Sequence, residues 1–320
     1  FQDNDDGAGI YGGWNVTGNT QIKNSVIEQT SRKCCANGIV LSWFSSGEII
    51  LDSVYVDDIG NSGDGDQRIS FAVPYGKLTI LNSRISNVLQ DNSLFNISNS
   101  AELYIENTHI TGISDRYNNN GVVLYLNNSA KAYFNHVTID DIDLSDDRYV
   151  FRIGSGSYST LHFVNSVVDE TFGRFIMDQS SSNATIEIVN SVAGNAESGY
   201  SGSYSSNTPA LTNTGELNNY SGAIGLARST VNVSGKIYKS PPMDLLGGAR
   251  PNPTGSNPDA GAYENAKSQG DFAAQTTSCG YLISAQVFNS DNYSVEWIQN
   301  GTVLGTDDDY LASSKGTYTL

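Results

Sequence analysis

The chain has 320 residues, a formal charge of −17 and only 16% charged side chains. So few charges exclude a disordered acidic tail, and the net acidity excludes a nucleic-acid binder, which needs a basic face against phosphate. Gly, Ser, Asn and Tyr are abundant, and that composition favours many short strands joined by turns.

The opening "FQDNDDGAGIYGG" shows no signal-peptide pattern and reads like the middle of a fold, so a natural start upstream is expected. No run of about 18 apolar residues exists to span a membrane. "DNDDG" at 3–7 and "GDGD" at 63–66 are calcium-like loop fragments, but neither completes an EF-hand. Cys34 and Cys35 are adjacent and Cys279 is distant, which is neither a disulfide framework nor a zinc spacing.

From residue 20 onward the same apolar pattern recurs around a turn residue. The turn positions are Asn24, Ser53, Asn82, Asn107, His136, Asn165 and Asn190, at spacings of 29, 29, 25, 29, 29 and 25. Two residues before each turn stand Ile22, Leu51, Ile80, Ile105, Phe134, Phe163 and Ile188. Three residues after it stand Ile27, Val56, Ile85, Ile110, Ile139, Val168 and Ala193. A weaker column, six after the turn, holds Ile59, Val88, Ile113, Ile142 and Ala196, while Thr30 and Thr171 break it and Phe172 takes over one place late. No helical period runs beyond a couple of turns. A unit of 25 to 29 residues carrying short strands is one coil of a parallel β-solenoid, each coil stacked on the last at roughly 4.8 Å.

The turn residue needs a left-handed backbone, which Asn tolerates better than most non-glycine residues. Stacked Asn amides can also hydrogen-bond from coil to coil. Ser53 and His136 depart from Asn, and each follows an amide or acid, Asp52 and Asn135. Shifting the register to those neighbours would spoil the apolar columns.

The units "DDGAGIYGG…TQIKNSVIEQTS" resemble secreted right-handed parallel β-helix repeats of the pectate-lyase-like superfamily, common in bacterial surface proteins. Residues 240–265, "SPPMDLLGGARPNPTGSNPDAGAYEN", resemble the closing segment of such helices through Pro241, Asp244, Gly248, Arg250, Asp259, Gly261, Ala262, Tyr263 and Glu264. Pro242 and Ala260 depart from that pattern. The resemblance implies an all-β right-handed parallel β-helix over 1–265 and a secreted or cell-surface location.

Residues 266–278 read as a polar linker. From 279 to 320, Val295, Trp297, Gly301 and "KGTYTL" resemble the C to F strands of an Ig-like or PKD-like sandwich. Two residues after Tyr318 stands Leu320 rather than Cys, so the inter-sheet disulfide is absent, and the module is expected to continue. A β-helix followed by such modules resembles the layout of Bacteroidetes surface proteins exported by type IX secretion.

Enzymes of this superfamily work on grooves along the coils, with acids, calcium and a basic residue. The register places Asp140, Asp141, Asp169 and Glu170 on neighbouring coils, with Asp57 and Asp58 at the same place on the second. Stacked carboxylates invite a cation or a raised pKa, and Ca²⁺, the one cofactor expected if any, takes six to eight oxygens. The alternative is an acidic ridge in water. Arg68, Arg148 and Arg174 each precede an apolar strand, as a base or as a local ion-pair partner.

His136 is expected in a turn role, and His109 and His162 are expected to face solvent. No G-x-S-x-G surrounds any serine. Residues 194–222 break the repeat, and their Tyr200, Tyr204 and Tyr220 either stack on sugar rings or pack on the helix. Sequons such as those at Asn15 and Asn183 are expected by chance in an Asn- and Ser-rich chain.

These features lead to a non-enzymatic surface module for adhesion or glycan binding, with glycans or cell-surface polymers as partners. A polysaccharide lyase or glycoside hydrolase using Asp140, Asp141, Asp169 and Glu170 is the enzymatic alternative. A passive spacer or secretion cargo is the third.

Overall fold

The computed structural model describes residues 18–28, 39–40, 47–60, 69–90, 93–115, 122–143, 149–154, 158–169, 174–178, 183–194, 196, 200–206, 209–219, 221–252, 254–266, 272–277, 280–285, 297–299, 302–305 and 309–312. These form an all-β parallel solenoid, with no helix among them. One wall is an 11-stranded sheet. Its path runs Asn19–Glu28, Glu48–Gly60, Lys77–Leu81, Glu102–Asp115, Lys131–Asp143, Val167–Val168, Ser191–Ala193 and Tyr204–Ser205. The opposing six-stranded wall stacks Ile39–Val40, Ile69–Val73, Ser93–Ile97, Val122–Leu126, Tyr149–Ile153 and Arg174–Asp178.

The apolar columns stack as their spacing dictates. Ile22 pairs with Leu51, Leu51 with Ile80, Ile80 with Ile105, Ile105 with Phe134, Phe134 with Phe163, and Phe163 with Ile188. The second column is equally continuous, from Ile27 through Val56, Ile85, Ile110, Ile139 and Val168 to Ala193. Ile59, Val88, Ile113 and Ile142 form the third.

Every turn residue is left-handed: Asn24, Ser53, Asn82, Asn107, His136, Asn165 and Asn190 have φ between 48° and 58°. The strand ladder continues on both sides, so Lys131–Asp143 bends rather than ends there. A second left-handed column follows five residues later at Asp58, Asn87, Gly112 and Asp141, with φ of 50° to 64°. Each long strand is therefore three straight segments joined by two one-residue corners.

The amide ladder runs through those corners. Asn107 Nδ2 donates to Asn82 Oδ1 at 2.9 Å, and Asn190 Nδ2 to Asn165 Oδ1 at 3.4 Å. Where the turn residue is Ser53 or His136, the neighbour one place earlier completes it. Asn82 Nδ2 donates to Asp52 Oδ1 at 3.0 Å, and Asn165 Nδ2 to Asn135 Oδ1 at 3.3 Å. A hydroxyl column follows one residue behind. Ser83 Oγ accepts from Val54 N at 3.0 Å and donates to Leu81 O at 2.6 Å; Ser166 does the same for Val137 and Val164. These hydroxyls satisfy backbone N–H groups that the corners turn out of the sheet ladder.

Between the two walls lies an apolar core. Phe134, Phe151, Phe163 and Phe175 are fully buried, with neighbouring ring centroids 5.1 to 5.8 Å apart. Each such ring contributes about 1.5–3 kcal/mol of burial.

After the last coil the chain turns back along the outside of the large sheet. Residues 223–252 and 254–263 form a strap there, with a hairpin of Thr230–Val233 and Lys236–Lys239. Further on, Phe272–Thr277 pairs antiparallel with Gly280–Ala285, which pairs with Asp309–Ala312, and Trp297–Gln299 pairs with Thr302–Gly305. The first of these strands runs through the stretch that reads as a linker.

Candidate functional site

The strap engages all three histidines of the chain, and here expectation and structure part. His109 and His162, expected in solvent, are 0% and 4% exposed. Their positions in the repeat do point out of the coil, but the strap covers that face.

Two of them share one arrangement. His109 Nε2 lies 2.7 Å from Asp140 Oδ1, and its Nδ1 lies 2.7 Å from the Tyr263 hydroxyl. His162 Nε2 lies 3.1 Å from Glu187 Oε2, and its Nδ1 lies 2.7 Å from the Tyr238 hydroxyl. A proton on His109 Nε2 facing Asp140 would leave Nδ1 to accept from the Tyr263 hydroxyl. Burial pushes the Tyr263 phenol up to about 12, so it remains a donor at neutral pH. Burial lowers His162, with the Glu187 carboxylate opposing.

His136 keeps its corner role and adds a second. Arg250 Nη1 contacts its Nδ1, while its Nε2 lies 2.7 Å from Ser240 Oγ, which donates to Arg228 O at 3.0 Å. Burial, then the Arg250 charge, holds His136 well below the usual imidazole range.

The closing segment that the sequence singles out supplies most of these contacts. Arg250 Nε lies 3.3 Å from Glu264 Oε1, both buried, and Arg250 Nη1 donates to Gly261 O at 3.1 Å. Asp259 accepts from Gly225 N at 2.6 Å and Asn265 N at 2.7 Å, and Asp244 accepts from Gly248 N at 2.6 Å. Ala262 N donates to Thr138 Oγ1 at 2.9 Å. A Cβ on Gly261 would meet that same hydroxyl at 2.7 Å, and its φ of 100° suits glycine alone.

Asp140 points beneath the strap and is 7% exposed, whereas Asp141 sits on a left-handed corner in solvent. Asp169 is half-buried and its N–H donates to Ile139 O at 2.8 Å. On the second coil Asp57 accepts from Ser86 Oγ and Asn87 Nδ2, both at 2.7 Å. Among the described residues no group of three or more His, Cys, Asp or Glu is arranged to hold a metal. Glu170, Tyr220, Arg68, Arg148, Asn15, both calcium-like fragments and the three cysteines lie outside the described residues.

Tyr200 and Tyr204 come together with ring centroids 6.4 Å apart. Both pack partly buried against the end of the core, Tyr200 at 6.5 Å from the Phe175 ring. They extend the aromatic stack past the last coil.

Among the described residues, an open concave feature lies elsewhere, at the corner where the chain enters the large sheet. A groove of about 460 Å³ is lined by Asn19, Glu48, Tyr75, Lys77, Asn99 and Glu102, among others. Tyr75 is 41% exposed. Lys77 Nζ pairs with Glu48 at 2.8 Å and Lys131 with Glu102 at 3.3 Å, so the charges along this edge are met coil to coil. The sequence did carry a signal for it. Tyr75 and Tyr158 each stand seven residues before a corner Asn, Asn82 and Asn165, so both belong to the same edge.

Fold and site together define a parallel β-solenoid with an external strap and a polar, tyrosine-bearing edge. Comparison with protein-family models, with curated proteins and with solved structures finds no match.

Proposed function

We propose that the chain is a surface-displayed binding module that holds a glycan or a cell-surface polymer in the corner groove at Tyr75. The observation that carries this reading is an exposed aromatic ring in a groove rimmed by amides, a hydroxyl and ion-paired charges. Sugar recognition needs that mixture: a flat apolar face for the ring and fixed polar groups for the hydroxyls. Asp140, one of the acids that a lyase or hydrolase would use, is instead engaged with His109 beneath the strap. The solenoid is right-handed in this reading, with the closing segment of residues 240–265 typical of secreted β-helices. Display at a bacterial surface through type IX secretion, and an Ig-like or PKD-like module after residue 279, belong to the same proposal.

A glycan array probed with the chain tests it. Binding to a defined group of glycans, lost in Tyr75→Ala, is expected. Binding that ignores Tyr75 would displace the groove. Release of unsaturated products absorbing in the ultraviolet from polyuronates would replace the reading with an enzymatic one.

A further inference from the structure

We infer that the ligand is a neutral, linear polysaccharide lying parallel to the solenoid axis, gripped at one end by Tyr75 and at the other by Tyr158. This rests on the glycan reading of the groove and extends it along the edge.

The register fixes the geometry. Lys77, Glu102, Lys131 and Thr160 pair in succession. Two residues before each stand Tyr75, Ser100, Ser129 and Tyr158. These four therefore form one row, and three strand spacings separate its ends by roughly 14 Å. Tyr158 is 68% exposed and is the most open aromatic ring among the described residues. The exposed rings at the two ends of this row each offer a flat apolar face to a ligand lying along it.

The row between them is built, not loose. Asn99 and Ser100 have φ of 51° and 65°, and Asn128 and Ser129 repeat those values. Asn128 Nδ2 donates to Asn99 Oδ1 at 3.2 Å, and Ser100 N donates to Asn128 O at 3.0 Å. The two turns are copies held in one orientation, so their polar groups meet a ligand without further ordering.

Charge selects the ligand class. The row itself is uncharged, and the flanking Glu48, Lys77, Glu102 and Lys131 neutralise one another in pairs. A chain carrying −17 repels a polyanion. Neutral sugar rings satisfy all three conditions: an apolar face for each tyrosine, hydroxyls for Asn and Ser, and no charge.

Calorimetric titration with neutral oligosaccharides of graded length tests this, using wild type, Tyr75→Ala and Tyr158→Ala. Both side chains are exposed, and an unchanged melting temperature verifies that the variants fold. Wild-type affinity should rise at least about tenfold once the oligomer reaches from one ring to the other, as a second contact on one ligand requires. Tyr158→Ala should abolish that rise while leaving the shortest oligomer bound as in wild type. A length gain that survives in Tyr158→Ala overturns the axial arrangement but leaves the Tyr75 groove standing. Failure to bind any neutral oligosaccharide overturns both, and tighter binding of a polyuronate overturns the neutral class.

Discussion

The Tyr263 hydroxyl sits 2.7 Å from Nδ1 of His109, although 154 positions separate the two residues along the chain. That bond ties the closing segment to the fourth coil. With Nε2 facing Asp140, His109 has one remaining acceptor, and Tyr263 is its partner. Tyr263→Phe keeps the ring and strands that acceptor in a buried site. A loss of about 1–3 kcal/mol is expected from chemical denaturation. An unchanged midpoint would show that water replaces the hydroxyl and that the bond does not hold the strap.

Arg250 is 7% exposed and is the cation facing Glu264, with Asp244 and Asp259 close by. Arg250→Met fills similar space without charge, leaving the buried Glu264 without its cation, at a cost of about 3–5 kcal/mol. Hydrogen exchange should then speed up first in residues 223–263, while amides of the Phe134 and Phe163 strands stay protected. Uniform loosening of coils and strap would mean that the two unfold as one unit.

The corner ladder separates conformation from hydrogen bonding at Asn82, which has φ of 48° and sits between Asp52 and Asn107. Asn82→Gly accepts the left-handed backbone but loses the amide. Asn82→Ala loses both and should be less stable than the glycine variant by about 1–2 kcal/mol. Equal stability of the two would remove backbone strain from the explanation.

Two buried groups give the strap opposing responses to pH. His136 is held below its ordinary value, so the unfolded chain binds its proton first. Its contribution is intact above about 6.5 and declines as pH falls below that. Asp259 is raised to about 8 by burial and then by the Glu264 carboxylate, so the folded chain keeps a proton that the unfolded chain has released. Its contribution is complete at acid pH and is lost as pH rises towards 8. Above about 6.5 only the second effect acts of these two, and melting temperature should fall between pH 6.5 and 8. His136 should show no imidazole titration by NMR across that range. A flat melting profile, or a normal His136 titration, would contradict the burial of these groups.

The corners and columns were legible before any coordinates, because in a parallel stack each residue meets the residue one coil away. A repeat in the chain is then a repeat in space. Ser53 and His136 show how firmly this holds: they break the Asn pattern, yet both take the left-handed corner, and Asp52 and Asn135 supply the missing ladder group. The hydroxyl column of Ser83, Thr108, Ser166 and Ser191 was present as the residue after each Asn, but its role appears only when corner N–H groups are traced to their acceptors.

The outer face was not legible. His109, His162 and Asp140 point away from the core and look like solvent-facing residues or parts of an acid site, and a chain segment more than 70 residues away in sequence turns them inward. The closing motif was visible as a motif, without the partners that Arg250, Tyr263 and Glu264 would take. The sequence alone determined the coiling, its register and its left-handed corners, since those are contacts between equivalent places in a repeat. Only the tertiary structure decided which face is covered and which edge stays open, since the strap follows no period and meets the coils through complementarity that exists only once both are folded.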